Sequence, residues 1–237
     1  MPSDIAGAYG LASYQAAAME DLESVAKACV AEFRRQMEHI GVPSHESRIE
    51  HGFSADNLAL AARYCDLAIL TQTNPDEPFP LDSRAVALDV LMRSGRPVLM
   101  LPYAGETPAQ PFRRVLVGWN ASREAARALH DALPLLKAAG DVEVAVFQTP
   151  EDAGLAHGAL PGADVGLWLA RHGVHVEVRH VPAKVGAGEA LLSHAADISA
   201  DLIVAGGYGH SRFRELMLGG VTRTLMQSCP VPVLLSH

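Results

Sequence analysis

The segment GGYGHSRFRELMLGGVT (residues 206–222) follows the apolar run LIVA (202–205) and precedes the apolar run VPVLL (231–235). Short apolar runs bounded by glycine-rich sequence predict buried strands. The glycines at the start of the segment can adopt positive φ and let backbone N–H groups approach an anion. The helix predicted to follow has an N-terminal dipole that favours the same negative charge. The segment therefore predicts a phosphate-binding loop after a strand of a parallel sheet.

The rest of the C-terminal half alternates between apolar runs and amphipathic stretches. The predicted strands cover residues 115–119, 142–147, 174–181, 201–205 and 231–235, and the predicted helices cover residues 122–139, 163–172, 188–198 and 221–228. Strands that alternate with helices in this way predict an α/β fold with a doubly wound parallel sheet. Ser122 is predicted to be a helix N-cap rather than a nucleophile, because no glycine-flanked elbow surrounds it.

The N-terminal half repeats part of this unit. LMRSGRPVLMLP (91–102) is similar to LMQSCPVPVLLSH (225–237), and YCDLAIL (64–70) is similar to SADLIVA (199–205), with Asp66 equivalent to Asp201. This similarity predicts a tandem repeat.

The repeat divides the chain into a first domain over residues 1–103, a linker over 104–111 and a complete domain over 112–237. The first copy is degenerate. A helix over residues 13–39 and a strand around 45–50 precede its DLAIL strand, and it has no equivalent of VLVGWNAS (115–122).

Composition excludes several classes of partner. Lys and Arg total 19 against 27 Asp and Glu, a net charge of −8, so we expect no nucleic acid. No apolar run approaches the roughly 18 residues that cross a bilayer, so we expect no membrane partner.

Three widely spaced cysteines indicate neither a disulfide framework nor a zinc site. The spacing of the eleven histidines predicts no metal site. The first basic residue is Lys27, which gives no secretory n-region, and we expect a cytoplasmic protein.

Three glycines are spaced as Gly, two residues, Gly, nine residues, Gly: Gly206, Gly209 and Gly219. This spacing resembles the phosphate loop of universal stress proteins. DLIVAGGYGHSR, LGGVTRTL and VGWNASREAARAL carry the resemblance, which covers nearly the whole chain. The nucleotide-binding members of that family have Asp, Gly and Ser or Thr where this chain has Asn120, Ala121 and Gly220.

The resemblance implies the Rossmann-like universal stress protein fold, with an adenine nucleotide, ATP with Mg²⁺, bound in the second domain. The nucleotide would lie across the carboxyl ends of the first and fourth strands of that domain. The implied binding residues are Val117, Gly118, Asn120, Gly206, Gly207, Gly209, His210, Ser211, Gly219, Gly220, Val221 and Thr222. The corresponding loop of the first copy, residues 71–83, has no glycine, so we expect at most one nucleotide per chain.

The family also pairs its fifth strands antiparallel. The resemblance therefore implies that residues 98–101 and 233–235 pair within the chain and that the two copies form a pseudo-dimer.

No catalytic residue is predicted. The segment 206–222 contains no lysine and no GxxxxGK[ST] pattern, so the resemblance implies a stress-response regulatory protein rather than an enzyme, with slow ATP hydrolysis left open. A nucleotide-free interaction scaffold is the alternative, in which the glycines serve only a tight turn and close packing. An adenylating enzyme ranks last, because GWNASREA does not supply the pyrophosphate loop of such enzymes. A homodimer and another protein partner both stay open.

Overall fold

The computed structural model describes residues 3–74, 76, 83–104, 111–148, 162–182, 186–207 and 220–237. The chain forms two compact units, Met1–Gly52 and Phe53–His237.

The first unit is a long helix followed by an irregular segment. Helix α1 spans Ser3–His39, which confirms the predicted helix and extends its start. The strand predicted around residues 45–50 is wrong, because residues 45–51 are irregular. The segment instead folds back on α1: Arg34 Nε donates to Ser47 Oγ at 3.0 Å, and the His45 ring contacts the Phe33 ring edge-on at 5.9 Å. A strand needs a neighbour for its backbone groups, and this segment pairs with no strand among the described residues.

The second unit alternates strands and helices along the chain. Its elements are α2 (Ser54–Ala62), β1 (Ala68–Thr71), α3 (Ser83–Ser94), β2 (Val98–Leu101), β3 (Arg114–Trp119), α4 (Arg123–Ala138), β4 (Asp141–Gln148), α5 (Ala163–Arg171), β5 (Val176–Pro182), α6 (Ala187–Asp197), β6 (Leu202–Gly206), α7 (Gly220–Ser228) and β7 (Val233–Ser236). Every strand and helix predicted for the C-terminal half is confirmed to within two residues at each end. Helix α2 was not predicted.

The strands form a seven-stranded sheet in the order β1-β2-β7-β6-β3-β4-β5. All neighbouring strands are parallel except β2 and β7, which are antiparallel. One apolar cluster covers one face with residues of α2, α3, α6 and α7. A second cluster covers the other face with residues of α4 and α5. Helices on both faces of a mostly parallel sheet confirm the predicted doubly wound α/β class.

The strands β2 and β7 join two similar pairs of strands. Val98 pairs with Leu235 and Met100 with Val233, so the predicted pairing of 98–101 with 233–235 is present. On one side of this junction lies β1 and on the other β6, each parallel to its neighbour. The tandem-domain boundaries and the pseudo-dimer interpretation stay predictions.

The hydrogen bonds of the two pairs are equivalent. Ala68 N donates to Pro97 O at 3.0 Å, as Ile203 N does to Pro232 O at 3.0 Å. Gln72 N donates to Leu101 O at 2.8 Å, as Gly207 N does to Ser236 O at 2.8 Å. The β1–β2 ladder therefore has the register of the β6–β7 ladder.

Among the described residues, the helices lack the combined length and apolar character of a bilayer-spanning segment.

Candidate functional site

A crevice is expected at the centre of the sheet, where the chain changes direction. Strands β3 and β6 are adjacent and parallel, with Val117 opposite Val204 and Gly118 opposite Ala205. From β3 the chain continues to β4 on one side, and from β6 it continues to β7 on the other. Loops that leave two neighbouring strands in opposite directions open a ligand crevice at their carboxyl ends.

The structure places part of the predicted binding set around this switch point. Val117 and Gly118 lie on β3, Gly206 ends β6, and Gly207 follows it. The first turn of α7 contains Gly220, Val221 and Thr222. The remaining predicted residues, Gly209, His210, Ser211 and Gly219, lie outside the described residues.

The turn from β3 to α4 is built by three consecutive residues. Asn120 is exposed, and its Oδ1 accepts the N–H of Ser122 at 3.1 Å. Ala121 adopts φ 56°, the left-handed region that favours glycine. Ser122 Oγ accepts the N–H of Ala125 at 3.1 Å, which confirms the predicted N-cap. Ala121 thus keeps the backbone geometry of a glycine at a cost of about 1 to 2 kcal/mol.

A buried carboxylate lies in the first turn of α4. Glu124 is 5% exposed, and Arg123 Nε donates to its Oε1. Burial alone raises the pKa of Glu124. Hydrogen bonds from Arg123, the backbone N–H of Glu124 and Ser122, together with the Arg123 charge, outweigh it and hold the pKa below its usual range. Sequence reasoning missed this residue, although an acidic residue in the first turn after a serine N-cap is a recognisable signal.

Gly206 is required by packing. A Cβ at this position would lie 2.6 Å from Ala125 N and 2.7 Å from Glu124 C, so the first turn of α4 rests directly on the end of β6. Neither Gly206 nor Gly207 adopts a positive φ. The conformational freedom expected of these two glycines is therefore not used.

Both backbone groups of Gly207 have partners within the protein. Its N–H donates to Ser236 O at 2.8 Å, and its carbonyl oxygen lies 3.1 Å from His237 Nδ1. Ser236 Oγ is buried and has no hydrogen-bond partner among the described residues. The end of β6 is thus tied to the end of β7, and an anion would have to meet other amides of the loop.

Helix α7 packs closely on α6. A Cβ at Gly188 would lie 2.9 Å from the Cα of Val221, so only a glycine admits this approach. Thr222 is 2% exposed. The first turn of α7 therefore lies directly against α6.

A second concavity of about 340 Å³ lies at the opposite, amino-terminal edge of β4 and β5. Its polar side chains contact each other: Arg179 Nε lies 3.1 Å from Glu143 Oε2, and His175 Nδ1 lies 3.2 Å from Asp141 Oδ1. Glu143 Oε1 also contacts Nε2 of His194, which lies outside the lining. These mutual contacts indicate a structural role for this group of side chains.

Cysteine and metal chemistry add no site in the described part of the chain. Cys29 and Cys65 are exposed free thiols, and Cys229 is buried. Burial raises the pKa of Cys229 to about 11, partly offset by a hydrogen bond from the Val231 backbone. No group of three or more His, Cys, Asp or Glu side chains among the described residues is arranged to hold a metal ion.

Comparison with known proteins gives a consistent picture. A sequence model described as the universal stress protein family matches residues 111–237. No match was found among curated proteins. A universal stress protein from Archaeoglobus fulgidus is 19% identical, with a TM-score of 0.70 over 92% of this chain and 79% of that one. A putative universal stress protein from Pseudomonas aeruginosa is 17% identical, with a TM-score of 0.54 over 89% of this chain and 77% of that one.

A universal stress protein solved in complex with cAMP is also similar. It is 24% identical, with a TM-score of 0.39 over 54% of this chain and 99% of that one.

Proposed function

Because the chain belongs to the universal stress protein family, we propose that it binds an adenine nucleotide, ATP with Mg²⁺, where β3 and β6 end. The observation that carries the proposal is the adjacent, parallel pairing of β3 with β6 at the point where the chain changes direction. Crevices of this kind are the usual ligand sites of doubly wound sheets.

The β3–α4 turn supports the nucleoside end of the proposal. Ala121 adopts the left-handed conformation that favours glycine. The backbone of this turn is therefore compatible with the glycine that nucleotide-binding members have at this position. Asn120 Oδ1 is engaged by Ser122 N, which leaves the side-chain amide Nδ2 as a donor to an acceptor atom of the nucleoside. Asn120 therefore offers hydrogen bonding without charge.

The phosphate end rests on the loop that precedes α7 and on the first turn of that helix. The N–H of Gly207 is bonded to Ser236, so we assign it no phosphate contact. The phosphates would meet the amides between Gly209 and Gly220, and the dipole of α7 would favour their charge. ATP supplies the charged phosphate chain, and Mg²⁺ offsets part of that charge.

We further propose that the protein acts in stress-response regulation in the cytoplasm rather than as an enzyme. The cysteines of the chain are too few and too separated to form a disulfide framework. The tandem boundaries 1–103, 104–111 and 112–237 belong to the same proposal. Slow ATP hydrolysis is tested by a turnover assay: equal turnover in the wild type and in Gly209→Val would place any such activity outside this loop.

A nucleotide-free scaffold is the second candidate. It is favoured by Gly206 and Gly207, because close packing against α4 explains the glycine at 206 and the N–H of Gly207 is already bonded to Ser236. In that case the glycine loop would serve architecture alone.

The distinguishing experiment measures nucleotide content and stability together. Heat-denatured protein is analysed by absorbance at 260 nm and by mass spectrometry, and the melting temperature is recorded with and without Mg-ATP. At a nucleotide concentration about 100 times Kd, binding stabilises by about 2.7 kcal/mol, or about 5 to 10 °C for a chain of this size. We expect this shift in the wild type and in Glu177→Gln, which alters the second concavity, and its loss in Gly209→Val. A protein free of nucleotide and indifferent to Mg-ATP would favour the scaffold.

A further inference from the structure

The outer edge of the sheet beside β1 is open among the described residues. β1 is the terminal strand, paired on one side with β2. Ala68 and Gln72 donate their N–H groups to β2. Because backbone groups alternate in direction along a strand, those of Ile69 and Thr71 face the open edge. A short strand with unpaired backbone groups is a template for another strand.

The other half of the sheet shows what occupies the equivalent edge. β6 has the same hydrogen-bond register with β7 that β1 has with β2, and on its far side β6 pairs in parallel with β3. Ile69 is equivalent to Val204 in this register. Val204 is fully buried, whereas Ile69 is 58% exposed. The edge and one face at Ile69 therefore lack the cover that β3 and α4 provide for β6.

In the other half of the sheet, a carboxylate on the residue before β6 binds backbone amides at the start of β3, the strand that has no counterpart beside β1 among the described residues. Asp201 accepts the N–H of Arg113 at 2.8 Å and the N–H of Arg114 at 2.9 Å. It thereby holds Arg114, the first residue of β3, and the preceding Arg113 in register with β6. Asp66 is the equivalent residue beside β1. It is exposed, and within the described part of the chain its carboxylate has no hydrogen-bond partner.

We propose that this edge, formed by Asp66 and residues 67–71, binds an extended segment of another protein, which adds to the sheet as a strand parallel to β1. The Asp66 carboxylate accepts the first two N–H groups of that segment, and the outward backbone groups of Ile69 and Thr71 pair with the residues that follow. The segment begins with basic residues and continues with apolar ones, as RRVLV (113–117) does. This composition complements the carboxylate and the net charge of −8.

A second copy of this chain fits the edge less well. Two β1 strands related by a two-fold axis would pair antiparallel. Asp66 would then face the carboxyl end of the partner strand instead of the free amides at a strand start. The geometry around Asp201 favours a parallel strand, and so a different polypeptide.

The test uses the synthetic peptide FRRVLVGWNA, the sequence of residues 112–121, with a scrambled peptide of the same composition as control. The peptide is titrated against the full chain, and binding is followed by fluorescence anisotropy and by amide hydrogen exchange. We expect saturable binding, together with slower exchange of the Ile69 and Thr71 amides. The Leu70 amide, which faces β2, should exchange slowly with and without peptide.

Three variants locate the binding. Asp66→Asn removes the charge of an exposed side chain, and Ile69→Pro removes an outward N–H while sparing the bonds to β2. Each variant should weaken peptide binding about tenfold. Asp66→Asn weakens hydrogen bonds to a charged acceptor, and Ile69→Pro removes one hydrogen bond between strands and disturbs the adjacent ones. His180→Pro removes an N–H on β5, the opposite edge strand, and should leave binding unchanged. Melting temperatures establish that each variant is folded.

Several results would overturn the proposal. They are the absence of saturable binding, equal affinity for the scrambled peptide, or wild-type affinity in Asp66→Asn. A concentration-dependent dimer of the full chain that Ile69→Pro abolishes would show that a second copy occupies the edge. Because Asp66→Asn changes only an exposed carboxylate, the test stands even if the proline variant does not fold.

Discussion

The replacement of Gly206 by alanine tests the packing at the centre of the candidate site. The added Cβ would lie 2.6 Å from Ala125 N, 2.7 Å from Glu124 C and 2.9 Å from Glu124 Cβ. Carbon atoms in contact normally lie about 3.5 to 4.0 Å apart, so the first turn of α4 has to move by close to 1 Å. Two of the three close atoms belong to the backbone and cannot rotate away.

Overpacking of this kind costs about 1 to 3 kcal/mol, and the backbone contacts favour the upper half of that range. We expect Gly206→Ala to lower the free energy of unfolding by about 2 to 3 kcal/mol and the melting temperature by about 5 to 10 °C. Urea unfolding without nucleotide measures the loss. The matched control is Gly207→Ala, whose nearest contact is the side-chain methyl Cδ2 of Leu91 at 2.8 Å; a side chain can rotate away, so we expect a cost of about 1 kcal/mol, the lower end of the same range. The free energy of unfolding of Gly206→Ala could instead lie within about 0.5 kcal/mol of the wild-type value, a margin typical of neutral surface changes. That result would refute the close approach of α4 to β6.

Three further predictions concern the same half of the chain. Asp201→Ala should lower the free energy of unfolding by about 2 to 3 kcal/mol in urea, because two backbone amides lose a charged acceptor. Asp66→Ala should leave the free energy of unfolding almost unchanged, and an equal loss of stability in both variants would contradict the difference between the two carboxylates. Ala121→Gly should leave the free energy of unfolding unchanged or raise it by about 1 kcal/mol, because relief of the left-handed backbone strain outweighs the added entropy of the unfolded chain. A clearly lower melting temperature would contradict the left-handed conformation of this turn. The pKa of Cys229 is raised to about 11, so its thiol stays protonated at pH 8. A thiol reagent should therefore modify Cys29 and Cys65 rapidly and Cys229 only after unfolding. Fast reaction of all three thiols in the native protein would be inconsistent with the burial of Cys229.

Local pattern was sufficient to predict the C-terminal elements. Helix α4 has apolar residues at helical spacing, and Ala125, Leu129 and Leu136 are buried as that spacing requires. The β2–β7 pairing was predicted from the family resemblance, which implied that residues 98–101 and 233–235 pair antiparallel, and the two strands pair in this way.

The strand expected around residues 45–50 failed for a non-local reason. A strand exists only with a partner for its backbone groups. Residues near Ser47 bond to α1 instead. The N-terminal half contains no equivalent of VLVGWNAS (115–122), so the sequence itself indicated that a strand at residues 45–50 would lack this neighbour.

The candidate site was predictable in position and less so in the role of each residue. The glycines suggested conformational freedom, yet Gly206 is needed because Glu124 and Ala125 approach it. Such an approach depends on how α4 crosses β6, which no local pattern encodes. The buried carboxylate of Glu124 depends on the same packing.

Hydrogen–deuterium exchange with and without Mg-ATP tests the central claim, nucleotide binding where β3 and β6 end, most directly. The account predicts slower exchange in peptides that cover residues 118–125 and 206–224, with no change in peptides that cover 141–143 and 175–179 around the second concavity. Protection confined to that concavity, or no protection at saturating Mg-ATP, would contradict it.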